Sequence, residues 1–119
     1  MKFTGNWKGK GEIILLDLTN NKTKSLCFSI NMEIIKESDD IYILRGNVID
    51  VNDKNNIITF NIIGYYNPNT KCIETSEKSG DGITTTFIKN KKLYHRASIA
   101  NQSNISSAAS FKLYKIKTK

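Results

Sequence analysis

The chain has 119 residues, of which 39% are apolar and one is proline, and it carries a formal net charge of +7. That length accommodates one domain with one core, and that composition excludes a disordered chain. Its longest uninterrupted apolar run, Ile13 to Leu16, falls far short of the roughly 20 residues of a membrane-spanning helix, and the opening Met1-Lys2-Phe3-Thr4-Gly5 has no apolar stretch of the kind a secretory leader carries.

Along the chain, apolar and polar residues alternate with a period of two, interrupted by clusters of Asn, Asp, Gly and Pro. The spacing predicts strands over 6–18, 24–36, 41–51, 57–66, 71–77, 83–88, 92–100 and 105–117. The second is the clearest: Leu26, Phe28, Ile30, Met32 and Ile34 fall on one face and Cys27, Ser29, Asn31 and Glu33 on the other. Connections this short make each strand pair with its sequence neighbour. The expected fold class is therefore all-β, a single antiparallel up-and-down barrel of about eight strands, with strand one closing on strand eight to remove the exposed edges. Gly5, Gly9 and Gly11 allow the first strand to bend for that closure. A two-sheet sandwich would need a longer crossing connection, and the chain has none.

The first strand opens with Phe3-Thr4-Gly5-Asn6-Trp7-Lys8-Gly9-Lys10-Gly11. Its Gly5-x-Trp7 resembles the G-x-W of the calycin barrels, the group of lipocalins, avidins and cytosolic fatty-acid-binding proteins. Phe3-x-Gly5-x-Trp7-Lys8 is similar to the start of the fatty-acid-binding proteins, and Gly5-x-Trp7-x-Gly9-x-Gly11 to that of nitrobindin-type haem barrels. The resemblance implies a structural role for Trp7, plugging one end of the barrel beside a basic residue of the last strand, Lys112 or Lys115. The same role follows from the large area a lone Trp buries near a chain end.

In mid-chain, Ile57 to Tyr66 is apolar on both faces. A barrel covers its inner face alone, so Ile57 and Ile63, or else Ile58, Phe60 and Ile62, face water. Such a patch points to a homodimer through residues 57–66. Cys27 and Cys72 lie on strands two and five, which are not neighbours, so two reduced thiols are expected, and these favour a cytoplasmic location. His95 is the only histidine. Catalytic and metal-ligand motifs are missing from the sequence, which reads as that of a binding protein rather than an enzyme, with no cofactor and no metal site. On its residues His95 is an ordinary strand histidine; the nitrobindin-type resemblance alone implies an axial haem ligand there. A pairing of His95 with Cys27 or Cys72 is the one nucleophilic arrangement these residue types allow.

In the last strand, Lys112-x-Tyr114 resembles the Arg-x-Tyr pair that grips a ligand carboxylate in fatty-acid-binding proteins. Lys in place of Arg loses the bidentate grip, and the two lid helices of that family have no counterpart in residues 9–18, which read as strand. Period two puts Phe111 and Leu113 on one face and Lys112 and Tyr114 on the other; burial of the first pair sends Lys112 outward, whereas an inward Lys112 would mark an anionic ligand. Strand closure gathers Lys8, Lys10, Lys112, Lys115 and Lys117 into a basic stripe. The chain has sixteen Lys to two Arg, however, and nucleic-acid surfaces favour Arg, so nucleic acid is not an expected partner.

The expected function is non-enzymatic binding of a small hydrophobic or amphipathic molecule inside the barrel. The interior candidates are Leu26, Phe28, Ile30, Met32, Ile34, Leu44, Val48, Phe60, Ile62, Phe87, Leu93 and Phe111. The candidate ligand contacts are Phe28, Met32, Tyr42, Phe60, Tyr66, Phe87, Tyr94, Lys112 and Tyr114, with the tyrosines as polar handles. The alternative is a rigid interaction module with a packed barrel.

Overall fold

The computed structural model of the chain describes residues 2–76, 82–102 and 104–117. Eight strands follow one another: β1 Gly5–Asp17, β2 Lys22–Lys36, β3 Ile41–Asp50, β4 Ile57–Asn67, β5 Cys72–Ser76, β6 Gly82–Lys89, β7 Lys92–Gln102 and β8 Ile105–Lys115. Each pairs antiparallel with the next, and β1 also pairs with β8, so the sheet closes into a barrel. The expected bounds differ from these by a few residues at most; of the polar cluster Ser79-Gly80-Asp81-Gly82, expected as a turn, residues 79–81 lie outside the described residues, as does Glu77 at the end of the expected fifth strand, and Gly82 begins β6.

Short connections dictate this order. Asn90 and Lys91 both take positive φ, 52° and 66°, the geometry of a two-residue hairpin turn whose twist matches that of the strands it joins. That turn sets Lys89 opposite Lys92, Phe87 opposite Tyr94 and Thr86 opposite His95. At the closing seam, a Cβ on Gly9 would fall on the Lys112 carbonyl and one on Gly11 on the Ser110 carbonyl. Glycine at these two positions lets β1 approach β8 closely enough to pair.

Register fixes which residues point inward. Around one circuit, Phe28, Gly11, Phe111, His95, Thr86 and Ile73 stand side by side on β2, β1, β8, β7, β6 and β5. Trp7, Met32, Ile34, Leu44, Leu93 and Leu113 form a fully buried cluster. Every expected interior residue takes this inner side except Phe87. Thr84 and Thr86 point inward on β6, so Phe87 points out and stacks on Tyr94 at 5.3 Å, with the Arg96 guanidinium 5.2 Å from its ring centre.

The alternatives left open for β4 divide between its two faces. Phe60 and Ile62 turn in, while Ile63 and Tyr65 stand outside with 60% and 68% of their surface exposed. Ile57 is also exposed on the outer face, and Ile58 is exposed at the barrel rim.

Candidate functional site

The two ends of the barrel interior differ. At one end the chain closes the bore with its own N-terminus. Trp7 is wholly buried, its indole Nε1–H donates to the Phe3 carbonyl at 2.8 Å, and Lys115 Nζ sits 5.3 Å from its ring centre. Lys115 also donates to the Lys2 carbonyl at 3.1 Å. Phe3 packs edge-on against Tyr42 and Tyr66, with ring centres 5.8 and 6.0 Å apart. Of the two lysines expected beside Trp7, Lys115 takes the place, and Lys112 stands outside, exposed.

Toward the other end the side chains stop filling the bore. A chamber of about 310 Å³ remains between the two walls, at the lower end of the roughly 300–1,000 Å³ of small-molecule pockets. Ile13, Leu15, Leu26, Phe28, Ile30 and Val48 line one side; Ile58, Phe60, Ile62, Ala97, Ala109 and Phe111 complete the apolar surface. Ile58, 48% exposed, marks the rim. The space arises where small residues meet: the row from Thr84 through Ala97 and Ala109 to Ile13 carries two alanines across β7 and β8.

Among the described residues, four polar side chains reach this chamber: Asn56, Thr84, His95 and Ser107. None is charged. His95 lies between Phe60, stacked at 6.3 Å and 15°, and Phe111, tilted at 6.4 Å. Its Nδ1 shares a hydrogen bond of 2.7 Å with Thr86 Oγ1. Burial pushes its pKa from 6.5 down to about 4, because the cation cannot be solvated there. The ring is therefore neutral at neutral pH. Thr84 shares a hydrogen bond with Thr75 in the same wall. Asp50 is buried at the chamber end of β3, accepting from the Asn52 backbone N–H at 2.8 Å and from Asn56 Nδ2 at 3.4 Å.

Of the nine expected ligand contacts, Phe28 and Phe60 line the chamber. Met32 is packed solid beneath it, in the cluster with Trp7. Tyr42 and Tyr66 belong to the plugged end, against Phe3. Phe87, Tyr94, Lys112 and Tyr114 lie on the outer surface and cannot touch anything inside. There they sit with Lys8, Lys10, Lys92 and Arg96: Lys10 opposes Lys112, Lys112 opposes Tyr94, and Lys92 stands 5.9 Å from the Tyr114 ring centre. The polar side chains that line the chamber are thus Asn56, Thr84, His95 and Ser107, and none of the expected tyrosines is among them. The sequence held a signal for His95: Leu93 must be buried, and period two carries His95 inward with it.

Neither cysteine meets His95. Cys27 faces outward opposite Glu12, and Cys72 donates its thiol to the Thr70 carbonyl at 3.3 Å; both are free. Among the described residues no three His, Cys, Asp or Glu side chains gather as metal ligands. A haem on His95 does not suit the residues present. A porphyrin needs a broader slot than the 310 Å³ between Phe28, Phe60 and Phe111, and among the described residues no basic side chain lines that space to meet its propionates.

No family model matches the chain, and no curated protein matches it by sequence. Solved structures match it in shape. Rv2717c from M. tuberculosis superposes with a TM-score of 0.58 at 10% identity over 96% of this chain and 92% of that one. Aphrodisin, a sex pheromone from female hamster, gives 0.55 at 15% identity, covering 98% of this chain and 77% of its own. The zebrafish ileal bile acid-binding protein, complexed with cholic acid, gives 0.51 at 12% identity over 96% and 98%. At these identities the likeness is one of fold, and with the closed eight-stranded meander it shows a calycin-like barrel.

Proposed function

We propose that the protein binds one small hydrophobic or amphipathic molecule in the barrel chamber and does not transform it. The observation that carries this reading is the apolar chamber itself. A barrel of eight strands has an interior just wide enough to be filled by side chains or to hold one small ligand, and here one end is filled and the other is not. One of the structures of similar shape, the zebrafish ileal bile acid-binding protein, is complexed with cholic acid, in keeping with this reading. Native mass spectrometry of gently purified protein tests it. Extra mass that is lost on denaturation, and is absent from an Ala109→Phe variant whose ring fills the chamber, is the expected result. A bare chain mass from both, together with no uptake of added apolar probes, would overturn the reading.

A second reading rests on a separate observation, the exposed Ile57, Ile63 and Tyr65 on the outer face of β4 beside Ile41, Ile43 and Ile49 of β3. This face is the candidate surface for a homodimer. Sedimentation of wild type and Ile63→Lys at tens of micromolar is expected to give a dimer and a monomer; a monomer from both would remove the reading.

A further inference from the structure

Resting on that chamber as a ligand site, the geometry points to an uncharged ligand: an apolar alcohol, ketone or amide whose single polar group is held by His95 and Thr84 on the β6–β7 wall, and not a carboxylate such as a fatty or bile acid. Among the described residues, the sixteen side chains that line the chamber include no Lys, Arg, Asp or Glu. Asp50, a buried carboxylate at the chamber end of β3, would repel an anion. Of the two lysines in the last strand, Lys112 faces solvent and Lys115 is committed to Trp7 and the Lys2 carbonyl. A carboxylate drawn into this chamber would lose its hydration and meet no lysine or arginine among the described residues in return.

The same wall is well suited to a neutral polar group. Thr86 engages one ring nitrogen of His95, Nδ1, so the hydroxyl–imidazole pair sets which tautomer the ring takes. Thr84 shares one hydrogen bond with Thr75, and a hydroxyl pair retains further donor and acceptor capacity. Both side chains are buried, Thr84 at 5% and His95 at 6% exposure, so a bond they make to a ligand is shielded from water. Phe60 and Phe111 flank His95, and with Phe28 they supply the apolar contact. The chamber is small, which favours a chain or ring system at the low end of ligand sizes.

Matched probes separate this inference from the one beneath it. Isothermal titration of the full chain at pH 7.5 with octanol and octanoate, and with decanol and decanoate, is expected to show each alcohol binding at least tenfold more tightly than its acid. His95→Leu and Thr84→Val, each checked for its melting transition, are expected to weaken the alcohols several-fold, while Ser107→Lys, which brings a cation to the chamber wall, is expected to raise affinity for the acids at least tenfold. Lowering the pH toward the carboxyl group's own pKa should strengthen the acids and leave the alcohols unchanged. Acids that bind wild type as tightly as the alcohols would overturn the inference while leaving the chamber as a binding site. Binding of neither class, with Ala109→Phe indistinguishable from wild type, would overturn both.

Discussion

The two ends of the barrel use the same strands for opposite ends. At the plugged end, Trp7, Met32, Ile34, Leu44, Leu93 and Leu113 interlock, and Phe3, Tyr42 and Tyr66 cap them. At the other end the inward residues of β7 and β8 shrink to Ala97, Ser107 and Ala109, and a chamber is left. A close-packed interior gains dispersion contacts on every side of each side chain, whereas residues lining a void forgo part of that gain. Stability therefore belongs to the plugged end, and the chamber end gives up some of it for space. Side-chain volume sets the difference on β7 and β8, and on β4 the ladder contributes too, since among the described residues β4 pairs with β5 through Tyr65, Tyr66 and Asn67 and not along Ile58, Phe60 and Ile62.

Substitution can break this contrast. The largest effect is expected from Trp7→Ala, a loss of about 3–5 kcal/mol by urea denaturation, which is a large fraction of the stability of a domain this small. Enlarging side chains comes next. Leu113→Phe at the plugged end should cost about 1–3 kcal/mol by overpacking, while Ala97→Leu or Ala109→Leu at the chamber end should be near neutral and should abolish ligand uptake. Equal costs at the two ends would mean that the chamber end is packed as tightly as the other.

Acid sharpens the contrast further. The folded state holds His95 neutral down to about pH 4, while the unfolded chain binds the proton near 6.5. The stability tied to this group is complete above pH 6.5, is lost as the pH falls, and levels off below about 4. Between pH 7.5 and 5 the loss is about 2 kcal/mol. Denaturation of His95→Gln at the two pH values should show a difference smaller by that amount; an unchanged difference would place the ring in water rather than between Phe60 and Phe111. The smallest effect is expected at Lys115. Lys115→Met removes the cation over Trp7 and should cost about 0.5–1 kcal/mol, read as a small shift in the denaturation midpoint.

Much of the fold was legible because β2 alternates so regularly. One strand with Leu26, Phe28, Ile30, Met32 and Ile34 on a single face fixes which side is core, and short turns then force the neighbours into place. The strand that misled was β6. By hydrophobicity alone Ile83, Thr85 and Phe87 make the better inner face. The opposite face won because Thr84 and Thr86 find hydroxyl and imidazole partners inside, in Thr75 and His95, and because the Asn90-Lys91 hairpin locks Thr86 opposite His95. A buried threonine with a partner costs little, and pattern reading does not see the partner. Tyr42 and Tyr66 pack against Phe3 at the plugged end, because the height at which each strand crosses the bore depends on the stagger between strands, which alternation along one strand does not report.

The most direct test of the chamber is a crystal structure of the protein grown with decanol. Chain-shaped density between Phe28, Phe60 and Phe111, its hydroxyl within hydrogen-bond reach of His95 or Thr84, is the expected result. A bore filled by collapsed side chains, with no room beside Ala97 and Ala109, would contradict it.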